Sequence, residues 1–223
     1  NVNGSLVVSA LHFADGSSVS MSDLFPPTNV NHEPGVTNAF ADQTTAEDVP
    51  FSFAVPADTF ADQDAGDTLT LSASLENGDP LPSWLSFDGM TNTFTGTPGN
   101  GDVGSVKVMV TATDQDTLSA ADTFALAVTN VNDAPTVALA LADQSMLEDV
   151  AFSFVVPADI FVDQDAGDTL VLSASLEDGS ALPAWLSFDA QTGALSGTPT
   201  NGDVGSVNVT VTAADSSNLG AAD

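Results

Sequence analysis

From Thr28 onward the chain of 223 residues repeats itself without a gap. Ala41-Asp42-Gln43 recurs as Ala142-Asp143-Gln144, a shift of 101 residues, and the same shift carries Glu47 to Glu148, Trp84 to Trp185, Gly96-Thr97-Pro98 to Gly197-Thr198-Pro199 and Asp114 to Asp215. The linker obeys it as well: Thr28-Asn29-Val30-Asn31 maps onto Thr129-Asn130-Val131-Asn132, and Pro34 onto Pro135. Units of roughly 20–50 residues stack as solenoids because none can bury a core alone, whereas a unit this long can. The repeat therefore predicts two domains, 28–129 and 130–223, behind a leader of residues 1–27.

Within a unit the hydrophobic period is two. Phe51, Phe53 and Val55 alternate with Ser52 and Ala54; Leu69, Leu71, Ala73 and Leu75 with Thr70, Ser72 and Ser74; Val106, Val108 and Val110 with Lys107, Met109 and Thr111. Phe124, Leu126 and Val128 supply a last such run. Short alternating segments broken by Asn-Gly, Asp-Gly and Thr-Pro are antiparallel strands with one buried face, and no stretch carries helical spacing. The expected fold is all-β: tandem immunoglobulin-like antiparallel sandwiches of about 100 residues each. The second unit ends at Asp223, the counterpart of Asp122, so it is expected to lack its last strand and to leave the run 207–211 as an open edge. In the leader, Asp15-Gly16 between Leu11/Phe13 and Val19/Met21 predicts a hairpin. An opening Asn in place of Met marks the chain as a piece of a longer polypeptide.

One Lys, no Arg and 31 acids give a formal charge of −30. Phosphate recognition rests on clustered cations, so nucleic acid is excluded as a partner, and no apolar run reaches the ~20 residues of a membrane span. Without cysteine there is no disulfide framework and no thiolate metal site. The acids gather in a loop. Phe-Ala-Asp-Gln-Asp-Ala-Gly-Asp-Thr-Leu, residues 60–69, returns at 161–170 and places Asp62, Asp64 and Asp67, then Asp163, Asp165 and Asp168, at the first, third and sixth positions of a turn that Gly66 permits. Two like charges ~4 Å apart cost each other roughly 4 kcal/mol at the effective dielectric of a protein surface. A multivalent cation relieves that repulsion, and oxygen-only ligands at this density suit Ca²⁺ better than Mg²⁺ or Zn²⁺. The competing reading is a solvated acidic turn.

Several motifs carry a family resemblance: Glu47-Asp48, Phe-x-Asp-Gln-Asp-x-Gly-Asp at 60–67, Leu-Pro-Ser-Trp-Leu-Ser-Phe-Asp at 81–88, Gly-Thr-Pro at 96–98, Ala-Thr-Asp at 112–114 and Asn-Val-Asn-Asp-Ala-Pro at 130–135. With them each unit resembles the cadherin-like domains of the dystroglycan type found in bacterial surface and exported proteins. That resemblance implies calcium held where successive domains join. Carried over by position, the junction set would be Glu47, Asn130, Asn132, Asp133, Asp163, Asp165 and Asp215, and the equivalent set above the first unit would be Asn29, Asn31, Asp62, Asp64 and Asp114. Two positions depart from the pattern. Gly96-Thr97-Pro98 stands where animal cadherins have Asp-Arg-Glu, with Asp102 as the nearby acid to compensate, and His32 occupies the place of Asp133. The leader run 10–25 resembles the segment that follows the glycine- and aspartate-rich repeats of haemolysin-type (RTX) exported proteins, although those repeats themselves are not in this chain.

The implied role is a calcium-rigidified structural and adhesive stretch of a secreted or cell-surface bacterial protein. Its partners would be calcium ions, neighbouring repeats of the parent chain, and glycans or proteins of a cell surface. The alternative is a carbohydrate-binding module of a polysaccharide-degrading enzyme, with Trp84 and Trp185 as stacking platforms; their apolar setting in Leu-Pro-x-Trp-Leu-Ser-Phe favours core packing instead. No catalysis is expected, because His12 and His32 lie in the leader and the first linker, away from the repeated cores. His12 is expected on a strand surface, and Lys107, replaced by Asn208 in the second unit, on an outward face.

Overall fold

The computed structural model describes residues 10–20, 30–64 and 66–223. In the leader, β1 (Ala10–His12) and β2 (Ser18–Ser20) form an antiparallel hairpin with Leu11 opposite Val19. Its turn closes where Asp15 accepts bonds from the Ser17 N–H (2.9 Å) and hydroxyl (2.6 Å), and Gly16 takes a positive φ of 88°. His12 is exposed, while Met21, Asn29 and the rest of 21–29 lie outside the described residues.

The first repeat runs β3 (Gly35–Val36), β4 (Gln43–Ala46), β5 (Phe51–Ala54), β6 (Phe60–Ala61), β7 (Thr70–Leu75), β8 (Leu85–Asp88), β9 (Thr93–Gly96), β10 (Gly104–Thr113) and β11 (Ser119–Thr129). One sheet has the order β4-β11-β10-β7 and the facing sheet β5-β9-β8, with β3 and β6 paired at the end that carries the acidic loop. All these pairings are antiparallel except β4 with β11, which run parallel from Gln43↔Leu126 to Ala46↔Thr129. The alternation read from sequence points inward as expected: Val108 and Val110 of β10, Leu126 of β11, Phe94 of β9 and Leu85 of β8 meet in one buried cluster. Phe124 is its centre, with ring centroids 5.3 Å from Phe40, 5.4 Å from Phe53 and 5.7 Å from Phe94. Tilted and edge-on contacts of this kind add to the stabilisation from area alone.

Gly96 is required by a close approach. A Cβ built there would lie 2.0 Å from the Trp84 carbonyl oxygen and 3.0 Å from the indole Cε3, and Gly197 meets the Trp185 carbonyl at the same 2.0 Å. The Gly-Thr-Pro motif thus marks where β9, and the strand ending at Gly197 in the second repeat, pass under a tryptophan backbone. Trp84 itself is half-buried and packs against the first core.

The second repeat runs β12 (Thr136–Val137), β13 (Phe152–Val155), β14 (Phe161–Val162), β15 (Val171–Leu176), β16 (Leu186–Asp189), β17 (Ala194–Gly197), β18 (Val209–Ala214) and β19 (Gly220–Ala222). Its sheets are β15-β18-β19 and β13-β17-β16, with β12 paired to β14. Residues 144–147, the counterpart of β4, form no strand, and β18 starts four residues later than the repeat shift would place the start of β10. The expected strand at 207–211 is therefore corrected to one beginning at Val209, because β10 owes its first half to pairing with the part of β11 that has no counterpart here. The buried cluster is smaller: Val156, Ile160, Phe161, Val211 and Ala213.

Candidate metal centre at the repeat junction

Each acidic loop is folded by its own first carboxylate. Asp62 Oδ1 accepts the Asp64 N–H at 2.9 Å, and the Asp67 N–H bonds the Asp64 carbonyl at 3.2 Å. Asp163, Asp165 and Asp168 repeat both contacts at 2.9 Å and 3.2 Å. The result gathers three carboxylates in each copy, with one oxygen from each lying within 4.8 Å of the others. Asp67 and Asp168 belong to these clusters although the ligand sets implied by the family resemblance leave them out.

The loops sit against the ends of their linkers. The Asp133 N–H donates to Asp165 Oδ2 at 2.7 Å, and the His32 N–H donates to Asp64 Oδ2 at 2.6 Å. Asn132 Nδ2 donates to Asp215 Oδ2 at 2.7 Å, and Asn31 Nδ2 to Asp114 Oδ2 at 2.9 Å. Asp114 and Asp215 also organise their own turns. Their Oδ1 atoms accept N–H groups of Asp116 and Leu118 in one, and of Ser217 and Leu219 in the other.

At the junction the first repeat contributes from above. Glu47 is fully buried and its Oε1 accepts the Val131 N–H at 2.6 Å. Linker residues 131–133 are thereby tied through backbone N–H groups to a carboxylate of each repeat. Asn130 is exposed. Asp102 does not take the compensating role: its Oδ2 accepts the Gly99 N–H at 3.0 Å and closes the 3-10 turn Asn100–Asp102. The contact from that turn comes from Asn100, whose Nδ2 donates to Asp133 Oδ2 at 2.6 Å. Sequence alone offered one signal for it, the recurrence of Asn100-Gly101-Asp102 as Asn201-Gly202-Asp203, and the repeat shift does not say what such a triplet touches.

Among the described residues four carboxylate oxygens are buried and have no hydrogen-bond partner: Glu47 Oε2, Asp163 Oδ2 and Asp165 Oδ1 around the junction, and Asp62 Oδ2 in the upper loop. A buried anionic oxygen without a donor costs a full desolvation penalty. Among the described residues the one Lys, Lys107 on β10, bonds Glu76, in the turn after β7, at 3.3 Å. Hard oxygen ligands, orphaned and clustered, fit a divalent ion that accepts irregular geometry, as Ca²⁺ does. The carboxylates that could hold it are Asp163, Asp165 and Asp168 in the second-repeat loop and Asp62, Asp64 and Asp67 in the first, with Glu47 buried on the other side of the junction linker.

Neighbouring negative charge adds to burial in the upper loop. Burial, followed by the charges of Asp62, Asp64, Asp114 and Asp116, raises the Asp67 carboxyl above its ordinary value. Asp64 is lowered, first by the His32 backbone N–H and then by the imidazole, whose Nδ1 lies 3.0 Å from Oδ1. For Asp215 burial is the largest single influence and pushes upward. The Asn132 side chain and the N–H groups of Leu219, Ser217 and Asn218 together outweigh it, and the carboxyl ends below its usual range.

The family described as "Putative Ig domain" matches residues 33–129 and 134–223. The chain belongs to it, in two copies. Its Ig-domain repeats are 34% identical over 137 residues to a serine-rich adhesin for platelets from Staphylococcus aureus, a match that covers 61% of this chain and 5% of the adhesin. Among solved structures the extracellular cadherin domains 1–5 of protocadherin gamma B2 superpose with a TM-score of 0.58 at 20% identity, over 85% of this chain and 38% of that one. Mouse cadherin-23 EC22-24 gives 0.52 at 19% identity, over 86% and 65%. At such identity the likeness shows a shared all-β, cadherin-like fold, in keeping with the sandwiches described above. No helix among the described residues is long and apolar enough to cross a membrane, which says nothing of a β-barrel.

Proposed function

We propose that the chain is a calcium-stiffened spacer within a cell-surface or secreted adhesive protein, in which ion binding at 131–133 fixes one repeat against the next. The observation that carries this reading is the set of buried, donorless carboxylate oxygens of Glu47, Asp163 and Asp165 on the two sides of a linker of three residues. Without an ion those oxygens repel one another and loosen the linker; with one, the same atoms pull both repeats onto it. Extracellular calcium modules bind at ~10⁻⁴ to 10⁻³ M, so the rod would stiffen outside a cell and relax in the cytoplasm. The match to an adhesin named for platelets, at 5% of its length, supports a structural repeat and an extracellular setting, and leaves the adhesive target to the parent protein. A sugar-stacking role is not favoured, because Trp84 is committed to the core beneath it.

Thermal unfolding with millimolar Ca²⁺, with EGTA and with Mg²⁺ at matched ionic strength tests the proposal. Ca²⁺ at ~100-fold excess over its dissociation constant is expected to add about 2.7 kcal/mol per site. The gain should vanish in the Asp163→Ala, Asp165→Ala double variant. An equal response to Mg²⁺ or NaCl would reduce the loops to acidic turns that are merely screened.

A further inference from the structure

The two acidic loops have the same sequence apart from Ala61 and Val162. In each, the first carboxylate closes the turn with one oxygen and keeps the other buried and donorless: Asp62 Oδ2 above, Asp163 Oδ2 at the junction. The next acids of the two loops differ. Asp165 is 6% exposed; its Oδ2 accepts the Asp133 N–H, and its Oδ1 is buried without a donor. Asp64 takes the matching backbone bond from His32 on Oδ2, but its Oδ1 is covered by the imidazole, with Nδ1 at 3.0 Å. The side chain at one linker position makes the difference. Asp133 turns its carboxylate aside to Asn100 Nδ2, at 2.6 Å, and leaves Asp165 Oδ1 open, whereas the His32 ring reaches into the loop.

We propose that His32 caps the upper loop against divalent cations, so that the junction loop fills first and the upper loop only at higher calcium. This rests on the calcium reading above and adds an order of filling to it. An ionised carboxylate can only accept, so Nδ1 carries the proton in this contact and is spent on Asp64. Bonds to ionised groups are the strong ones. A cation must displace the ring before it can use Asp64 Oδ1, while at Asp165 Oδ1 it displaces nothing. A hard ion that prefers oxygen gains little by taking the imidazole nitrogen in exchange. The joint between the repeats therefore stiffens over a calcium range in which the loop at the head of the first repeat is still empty. His32 acts here as a specificity-determining residue that touches a ligand and is not one.

The test is a CaCl₂ titration of the isotope-labelled full chain, read by NMR at the amides of Gly66 and Gly167, which sit at matching places in the two loops with φ of 105° and 100°. Gly167 is expected to reach its midpoint at calcium about ten-fold lower than Gly66, the factor that loss of one hydrogen bond to a charged group corresponds to. His32→Ala removes the ring and keeps the backbone N–H that Asp64 Oδ2 accepts. It should bring the Gly66 midpoint down towards that of Gly167 and leave Gly167 where it was. A purely structural role for the ring would lower the melting temperature in EGTA without moving the Gly66 midpoint, and that result overturns the proposal. So does a Gly66 midpoint that rises in His32→Ala, which would make the imidazole a ligand, and so do two glycines that titrate together in the wild type. In those three cases the calcium-stiffened spacer stands. If neither amide moves by ~10⁻² M Ca²⁺, ten-fold above the weakest extracellular modules, the spacer reading falls and the order of filling falls with it.

Discussion

Gln43–Ala46 is a strand in the first repeat, whereas its counterpart at 144–147 is not, and β10 spans ten residues where β18 spans six. In the first repeat residues 123–129 lie between these two segments, pairing antiparallel with the first half of β10 and parallel with β4, so both strands owe their ladders to a segment far away in sequence. Glu47 is sealed under the linker that follows β11 and its amide bonds the Thr129 carbonyl, while Glu148 is exposed.

The sharpest way to break this comparison is to strike both repeats at the same point. Gly96→Ala and Gly197→Ala each force a methyl against a carbonyl 2.0 Å away. Each is expected to cost more than about 4 kcal/mol, a size reserved for severe steric conflict, and to unfold its own repeat alone. Hydrogen exchange resolved by peptide will show whether the other repeat keeps its protection; loss of both would mean the units are not independent. Phe124→Ala asks whether the first repeat can be turned into the second. Emptying the centre of its aromatic cluster should cost about 3–5 kcal/mol, and exchange should rise at residues 43–46 and 104–108 before anywhere else in the repeat. Urea unfolding gives the size of the loss, and exchange its location. Lys107→Asn should do almost nothing. In the second repeat Asn208 already bonds Glu177 at 2.7 Å, where Lys107 reaches an exposed Glu76 at 3.3 Å. A surface pair of this kind is worth about 0–1 kcal/mol, so a fall in melting temperature beyond the noise of the scan would be a surprise.

Much of this was legible in the residues. Alternation located β5, β7, β10 and β11 because one face of each lies on the core and the other in water, and period two records that directly. The acidic loop was legible because its Asp spacing encodes a turn that closes on its own first carboxylate. Other features were hidden because they depend on distant chain. The parallel pairing of β4 with β11 joins residues about 80 apart, and nothing in Gln43-Thr44-Thr45-Ala46 announces it. Asn100 reaches Asp133 across 33 positions. Asp102 carried the right charge, yet its carboxylate is consumed three residues away, on the Gly99 N–H, in closing its own turn.

The parallel register of β4 and β11 has a mechanical consequence. In the first repeat only the two-residue β3, paired with β6, precedes β4, and the chain leaves directly from the end of β11. Tension applied along the polypeptide drags these two strands in opposite directions along their own length. Every rung from Gln43↔Leu126 to Ala46↔Thr129 then carries load together and must fail together, instead of peeling open one bond at a time.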